Sequence, residues 1–220
     1  MEGLEKFLAL EEEKRERIIT AAMKEFLAGY KHASTDNIVR EAGISKGLLF
    51  YYFGTKERLY LYLVEHLVKI FQEEFLDLLN VHQPDILDSV WQMSLLKRDL
   101  SAKYPVIFDF MTSAYLDPDV KDGAAKELLS KALERRIKIM TEVYNCADYS
   151  LFRDDIDPEK AVMLINWALQ GYAESTAADA SLKMPSGTIR ENYDQYLQEF
   201  KAYLDILRKC FYKEDKSCTA

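Results

Sequence analysis

Residues 34–56 have the sequence STDNIVREAGISKGLLFYYFGTK, which predicts two short helices joined by a tight turn. Ser34 or Thr35 can cap the first helix, because a short hydroxyl side chain accepts from the free amides at a helix start. Gly43 supplies the positive φ that ends this helix, and Ser45 is placed to cap the second. A helix, a short Gly-containing turn and a second helix are the parts of a helix-turn-helix.

The outer face of the second helix has an unusual composition. Helical spacing predicts that Leu49, Phe50 and Phe53 pack inward. The residues left outside are Lys46, Gly47, Leu48, Tyr51 and Tyr52. Large rings are seldom left in water, whereas phenol hydroxyls and amines reach phosphates and apolar atoms contact thymine methyl groups in DNA. The segment therefore indicates DNA binding, with a helical hairpin in an ordinary core as the alternative.

A longer pattern surrounds this segment. Its residues, which lie within 14–60, are Ile18, Ile19, Ala21, Ala22, Phe26, Gly29, Tyr30, Ser34, Thr35, Ile38, Ala42, Gly43, Ile44, Ser45, Lys46, Gly47, Leu49, Phe50, Tyr52, Phe53, Lys56, Glu57 and Leu59. Through these residues, the segment closely resembles the N-terminal domain of TetR-type transcriptional repressors (TetR/AcrR-like regulators). The match covers about a fifth of the chain. The rest agrees with the family in length, in helical pattern and in its lack of a catalytic signature.

The resemblance implies a DNA-binding surface and a domain organisation. The matching positions for DNA contact are Thr35, Ser45, Lys46, Gly47, Leu48, Tyr51, Tyr52 and Lys56. Two positions depart from the family pattern. Phe50 stands where a phosphate-binding Tyr is usual, and Leu48 stands where a hydroxyl residue is common. Residues 1–58 are expected to form a three-helix helix-turn-helix domain, and residues 59–220 a helical ligand-binding and dimerisation domain.

Composition and patterning predict an all-α fold of about nine helices. The chain is 49% hydrophobic with 8 Gly and 5 Pro, and no strand-like alternation stands out. The first helix is expected to run from about Leu4 to Gly29, and the last from about Thr188 to Tyr212. No apolar run is long enough for a membrane span. Three cysteines without CxxC spacing favour reduced thiols in a cytoplasmic protein.

The net charge of −8 is unevenly distributed. Residues 14–56 hold eight Lys and Arg against four Asp and Glu, whereas residues 1–13 hold one Lys and five Glu. The remainder, residues 57–220, carries 20 basic and 28 acidic residues. Basic charge is therefore concentrated where phosphates would be met, although ordinary fluctuation along a helical chain is an alternative explanation.

The last two predicted helices suggest a homodimer. The helix after Pro158 is apolar nearly all round, and such a helix must be covered on every side. In the resembled family these two helices form a four-helix dimer interface, and the alternative is a purely intramolecular core. The candidate interface residues are Ile165, Leu169, Tyr172, Tyr196, Phe200, Tyr203 and Leu207.

Aromatic residues and methionines in the middle of the chain are candidates for an inducer pocket, which the resemblance places in this region. The candidate lining residues are Trp91, Tyr104, Phe108, Met111, Tyr115, Met140, Tyr144 and Glu174. An ordinary core is the alternative. If Asp99, Asp109 or Glu174 faced a cavity, a cationic lipophilic ligand would be favoured; the alternative is that these acids face solvent.

The sequence does not predict an enzyme. The three histidines are scattered without metal-ligand spacing, and no nucleophile or phosphate-binding motif occurs, so neither a metal nor a cofactor is expected. The prediction is a transcriptional regulator that binds an operator in double-stranded DNA, a repressor released by a small lipophilic inducer. A ligand-binding helical dimer that has lost DNA binding is the alternative, but such a protein would be expected to lose Gly43, Gly47 and Lys56, and all three are present.

Overall fold

The computed structural model of the protein describes residues 2–80, 82–120, 123–183 and 193–214, and for residues 176–183 the backbone alone. Apart from one isolated antiparallel bridge between Phe152 and Tyr212, the regular elements in these residues are helical, which confirms the all-α prediction. The α-helices are α1 (Glu2–Leu8), α2 (Glu12–Phe26), α3 (Thr35–Ala42), α4 (Lys46–Phe53), α5 (Lys56–Glu74), α6 (Ile86–Lys103), α7 (Pro105–Leu116), α8 (Ala124–Asn145), α9 (Pro158–Lys183) and α10 (Tyr193–Phe211). Short 3₁₀ turns cover Leu76–Leu78 and Tyr149–Leu151.

The N-terminal region differs from its prediction, because the single expected helix is broken into α1 and α2. The Arg15 guanidinium donates to the carbonyls of Leu8 and Leu10, at 3.3 and 3.5 Å, and so gives hydrogen-bond partners to carbonyls freed by the break. The break allows α1 to lie against α4 with Phe7 fully buried. The predicted start of the last helix near Thr188 lies outside the described residues.

The chain divides into two compact units. The first contains Met1–Leu78 and Lys103–Arg136, and the second contains Leu79–Ala102 and Ile137–Ala220. The first unit includes residues on both sides of position 58, so the proposed division of function at that position stays a prediction.

The core of the first unit is built around an aromatic cluster at the start of α5. The Tyr60 ring lies 4.9 Å from the Phe26 ring on α2, 5.2 Å from Tyr30 and 5.7 Å from Phe110 on α7, measured between centroids. Burial raises the pKa of the Tyr60 hydroxyl well above its ordinary value. The helix-turn-helix segment is therefore packed against α5 and α7 in one continuous core.

Polar contacts also join α2 to the end of α7. The Tyr30 N–H donates to Asp117 Oδ2 at 2.6 Å, and Lys31 Nζ lies 2.5 Å from Asp119 Oδ1. Ser113 Oγ donates to the carbonyl of Phe26 at 3.4 Å. The loop after α2 is thus held by the turn that follows α7, in addition to the covalent connection through α5.

In the second unit, one arginine ties α10 to the start of α6. Arg208 donates to Asp85 Oδ2 at 2.6 Å and to Asp88 Oδ1 at 2.7 Å, and such charge-assisted pairs fix geometry as well as adding stability. The guanidinium carbon lies 4.8 Å from the centroid of the Tyr212 ring. Among the residues that the structure describes, no helix has the length and apolar character needed to cross a membrane.

His66 provides a test of the first unit's stability. It stacks on Tyr62 at 6.2 Å, its Nε2 is buried without a hydrogen-bond partner in the described part of the chain, and burial lowers its pKa below the ordinary 6.5. Protonation therefore favours the unfolded chain, where imidazolium is hydrated. The stability contributed by neutral His66 is complete above pH 6.5 and is lost as the pH falls through the folded-state pKa.

We expect urea denaturation at fixed protein concentration to show a smaller loss of stability from pH 8 to pH 5 in His66→Gln than in the unmodified protein. The exposed His32→Gln variant is the control, and an equal pH dependence in the two variants would contradict the assignment.

Candidate nucleic-acid interface

The turn between α3 and α4 has the geometry that the sequence predicts. Gly43 has φ +64° and ψ 40°, in the left-handed region. Its N–H donates to the Arg40 carbonyl at 3.4 Å, and the Ile44 N–H donates to the Val39 carbonyl at 3.0 Å. These two bonds satisfy carbonyls at the end of α3 in a Schellman motif, while Ile44 packs against the core. The turn therefore fixes the angle at which α4 leaves α3.

The start of α4 is capped and open to solvent. Ser45 Oγ accepts from the Leu48 N–H at 3.2 Å, which confirms the predicted cap. Lys46 and Gly47 are exposed, and a Cβ added to Gly47 would meet no atom within 4 Å. Lys46 Nζ lies 2.9 Å from Asp36 Oδ1 on α3, so its ammonium is held near the turn. The first turn of α4 thus exposes its backbone at Gly47 and the Lys46 side chain to solvent.

The structure corrects the predicted outer face of α4 at two positions. Tyr51 is 52% exposed, as predicted, but Tyr52 is 7% exposed and packs inward. Phe50, which was expected to face the core, is 36% exposed. The physical reason is α1, because its Phe7 ring lies 5.5 Å from the Tyr52 ring and covers it. Tyr52 is therefore removed from the set of outward-facing residues, and Phe50 joins it.

Two further candidate contacts flank α4. Thr35 is the first residue of α3 and is half-buried; Ser34 occupies the N-cap position without a side-chain cap bond. Thr55 caps α5, and its Oγ1 accepts from the Arg58 N–H at 3.1 Å. Lys56 Nζ lies 5.0 Å from the Tyr30 ring centroid and 3.4 Å from the Lys31 carbonyl oxygen. These contacts hold the ammonium beside the loop that precedes α3.

The candidate ligand residues do not form one group. Met111 and Tyr115 line a cavity of about 200 Å³ in the first unit. The other lining residues are Leu67, Val68, Phe71, Gln72, Leu76, Leu128, Lys131, Ala132 and Arg135. Sequence reasoning missed all nine, although the apolar stripe of α5 contains Leu67 and Phe71. The lining contains two basic residues and no carboxylate, so it does not favour a cationic ligand.

The remaining candidates make other contacts. Tyr104 donates its hydroxyl to Glu74 at 3.0 Å, and Phe108 is half-buried outside the cavity lining. In the second unit the Lys201 ammonium lies 5.3 Å from the Trp91 ring, and burial raises the pKa of Tyr144 to about 12. The two remaining ligand candidates in the second unit are Met140, which is half-buried, and Glu174, which is exposed. The Glu174 carboxylate accepts a hydrogen bond from the Gln170 side-chain amide at 2.9 Å.

The candidate interface residues on α9 and α10 differ in their exposure. Ile165 and Phe200 are buried within the second unit, so they belong to its own core. Half-buried positions are Leu169, Tyr172, Tyr196 and Leu207, and Tyr203 is exposed. Large apolar side chains that the sequence analysis did not select are exposed here, namely Met163, Leu164, Trp167 and Ile206. A helix that is apolar all round gives no periodic signal, which is why the outward side could not be identified.

Within the described residues, no group of three or more His, Cys, Asp or Glu could hold a metal ion. Cys146 Sγ lies 3.8 Å from His82 Nδ1, but this pair lacks the further ligands of a closed metal site.

Comparison with known proteins agrees with this geometry. The fold defines a helix-turn-helix protein with the architecture of TetR-type regulators. Residues 18–63 match the model of bacterial regulatory proteins, tetR family, which confirms the predicted resemblance. A search of curated proteins found no match.

Solved structures share the fold over nearly the whole chain. A TetR family transcriptional regulator from Chloroflexus aurantiacus J-10-FL is 18% identical with a TM-score of 0.62, covering 96% of this chain and 98% of that one. The ketosteroid transcriptional regulator KstR2 of Mycobacterium tuberculosis is 16% identical with a TM-score of 0.61, over 93% and 97% of the two chains. The TetR family protein CprB from S. coelicolor A3(2) is 20% identical with a TM-score of 0.59, over 93% and 91%.

Alanine substitutions at Gly43 in the turn and at Gly47 in α4 should change the stability of the protein in opposite directions. Gly43→Ala places a Cβ at φ +64° and should cost about 1 kcal/mol of stability. Gly47→Ala enters open space in a helix and should add about 0.5 kcal/mol. Urea denaturation at one protein concentration measures both changes. Stabilisation by Gly43→Ala would show that the turn does not adopt this geometry.

Proposed function

We propose that the protein is a sequence-specific DNA-binding transcriptional regulator whose helix α4 enters the major groove. The observation that carries the proposal is the open first turn of α4, where Lys46 and Gly47 are exposed beside a fixed turn. A glycine without neighbours allows the backbone to approach a base edge or phosphate closely. With Tyr52 buried, the proposed contact set is Thr35, Ser45, Lys46, Gly47, Leu48, Tyr51 and Lys56.

The direct test is selection from a random-sequence pool of DNA duplexes by the full chain. We expect enrichment of one two-fold symmetric sequence, because a dimer repeats its contacts roughly 34 Å apart, which is one turn of DNA. Failure to enrich any sequence would favour the alternative of a ligand-binding helical dimer without DNA binding.

Lys56 is proposed to bind a phosphate at the start of α5. Each lost phosphate contact reduces the steepness of the negative slope of log K against log salt by about 0.9 per subunit. We expect this decrease for Lys56→Ala, with weaker binding to all duplexes alike, in mobility-shift titrations across salt concentrations. Lys69→Ala is the matched control, since Lys69 lies on the same helix, is exposed and pairs with Glu73 at 3.9 Å. Equal slopes for the two variants would remove Lys56 from the interface.

We further propose that a second copy of the chain covers the exposed apolar surface of α9 and α10. Trp167 is 58% exposed and Ile206 55%, and solvent-facing groups of this size on two neighbouring helices mark an interaction surface. Tyr172 on α9 packs 5.0 Å from Tyr203 on α10, so the two helices present their apolar residues together. The fold shared with TetR-type regulators and the two-fold symmetry expected of an operator both support a homodimer.

Replacing Trp167 with Glu should weaken self-association. Burying an unpaired carboxylate in place of an aromatic anchor costs about 2–4 kcal/mol, so the dissociation constant should rise at least about thirtyfold. Sedimentation equilibrium measures this constant. Tyr149→Glu is the matched control, because Tyr149 is an exposed ring of the second unit outside α9 and α10. The interface is elsewhere if both variants associate like the unmodified protein.

Repression and its relief by a ligand are the finer part of the proposal. The cavity lining is mostly apolar, and its two charged residues, Lys131 and Arg135, are already paired with Glu127 and Asp77 outside the lining, so it favours a small apolar ligand. At about 200 Å³ it is smaller than the sites of drug-sized ligands, roughly 300–1,000 Å³. Its walls include α5, which begins at Lys56, and α7, which ends at the turn that holds Tyr30. A ligand that prefers a shifted arrangement of these helices would oppose DNA binding.

We place this regulator in the cytoplasm, with reduced thiols.

A further inference from the structure

We infer that α1 is a positioning element for DNA recognition, and that Phe7 sets which face of α4 is presented to the bases. The inference rests on the proposed function, in which α4 is the helix that enters the groove. It adds a determinant outside residues 18–63, the part that matches the family model.

Phe7 packs against both α4 and α5. Its ring is fully buried and lies 4.8 Å from the Phe53 ring and 5.5 Å from the Tyr52 ring, both on α4. The Tyr62 ring on α5 lies 5.3 Å away in an edge-on arrangement. Phe7 therefore occupies the angle between the two helices, and the aromatic contacts favour particular ring orientations.

Gly3 brings the backbones of α1 and α4 into close approach. A Cβ built on Gly3 would lie 3.1 Å from the Tyr52 carbonyl oxygen and would overlap the Tyr51 carbonyl oxygen. Both neighbouring atoms are backbone atoms and cannot rotate away. Any larger residue at position 3 must therefore displace one helix from the other.

The consequence concerns two adjacent tyrosines. Tyr51 and Tyr52 are separated by about 100° around the helix axis, so packing must decide which of them is exposed. With α1 in place, Tyr52 is covered and Tyr51 faces outward. Because isolated helices shorter than about 12 residues are marginal in water, the seven-residue α1 depends on its packing against α4. The order of α1 and the orientation of α4 are thus coupled.

Phe7 cannot contact DNA itself, because it is fully buried. Any effect of Phe7 on base preference must act through the helices it packs against, which are α4, with two ring contacts, and α5, with one. If Phe7 has a positioning role, replacing it lowers the affinity for the specific sequence and leaves sequence-independent phosphate binding unchanged. A general loss of stability would change both of these affinities or neither of them.

The test uses the full chain and two duplexes: the sequence that the unmodified protein selects from a random pool, and a shuffled duplex of the same composition. We expect Phe7→Ala and Gly3→Ala each to lower the ratio of the two affinities at least about tenfold, roughly the discrimination carried by one base pair. Affinity for the shuffled duplex and its salt dependence should not change. Circular dichroism at the assay temperature verifies that each variant is folded.

Phe75→Ala is the matched control, because Phe75 is a buried ring of the same unit at the end of α5 opposite Lys56, where it packs 4.8 Å from the Phe71 ring. An unchanged ratio in Phe7→Ala, or an equal fall in Phe75→Ala, would overturn the inference. If Phe7→Ala does not fold, Gly3→Ala decides in the same way. If the unmodified protein selects no sequence, the proposed function fails and the inference fails with it; if it selects a sequence that Phe7→Ala recognises equally well, the inference alone fails.

Discussion

The packing of Tyr60 against Phe26 and Phe110 is the contact on which the rest of the first unit depends. This ring sits at the start of α5 and touches both Phe26 at the end of α2 and Phe110 on α7. It is buried, so it contributes hydrophobic stabilisation as well as a fixed orientation. Together with the hydrogen bond from the Tyr30 N–H to Asp117, it gives the helix-turn-helix segment a rigid support. A surface that must match DNA needs such support, because small displacements remove individual contacts.

The distribution of charge reconciles an acidic protein with a proposed DNA-binding role. The sequence carries a net charge of −8, yet residues 14–56 carry an excess of four positive charges. Some of these cations have acidic neighbours: Lys46 pairs with Asp36, and Lys31 pairs with Asp119. The Lys46–Asp36 pair is exposed on both sides, so it contributes little stability and can exchange for a phosphate contact at low cost. The acidic remainder of the chain would discourage other faces from binding DNA.

The first unit also links the proposed ligand cavity to the proposed DNA-binding surface by two paths. Residues of α5 and α7 line the cavity, and both helices contact Phe26 at the end of α2, which packs against α3. A shift of either helix would therefore be transmitted by packed side chains and by the Asp117 turn. Transmission of this kind requires that the ligand prefer one of two arrangements of the helices. A ligand that binds both arrangements with equal affinity does not change their populations.

The sequence by itself determined the local features of this protein: the left-handed turn at Gly43, the caps at Ser45 and Thr55, and the all-α character. These depend on interactions between residues close in the chain, which leave direct sequence signals. The tertiary structure decided the features that depend on distant partners. Tyr52 is buried because α1 covers it, and Lys131 and Arg135 line the cavity because α8 packs near α5 and α7. On α9, Ile165 turns inward and Trp167 outward in a helix whose sequence is apolar on both sides. Apolar periodicity identifies a helix, but it cannot say which neighbouring element will cover each side.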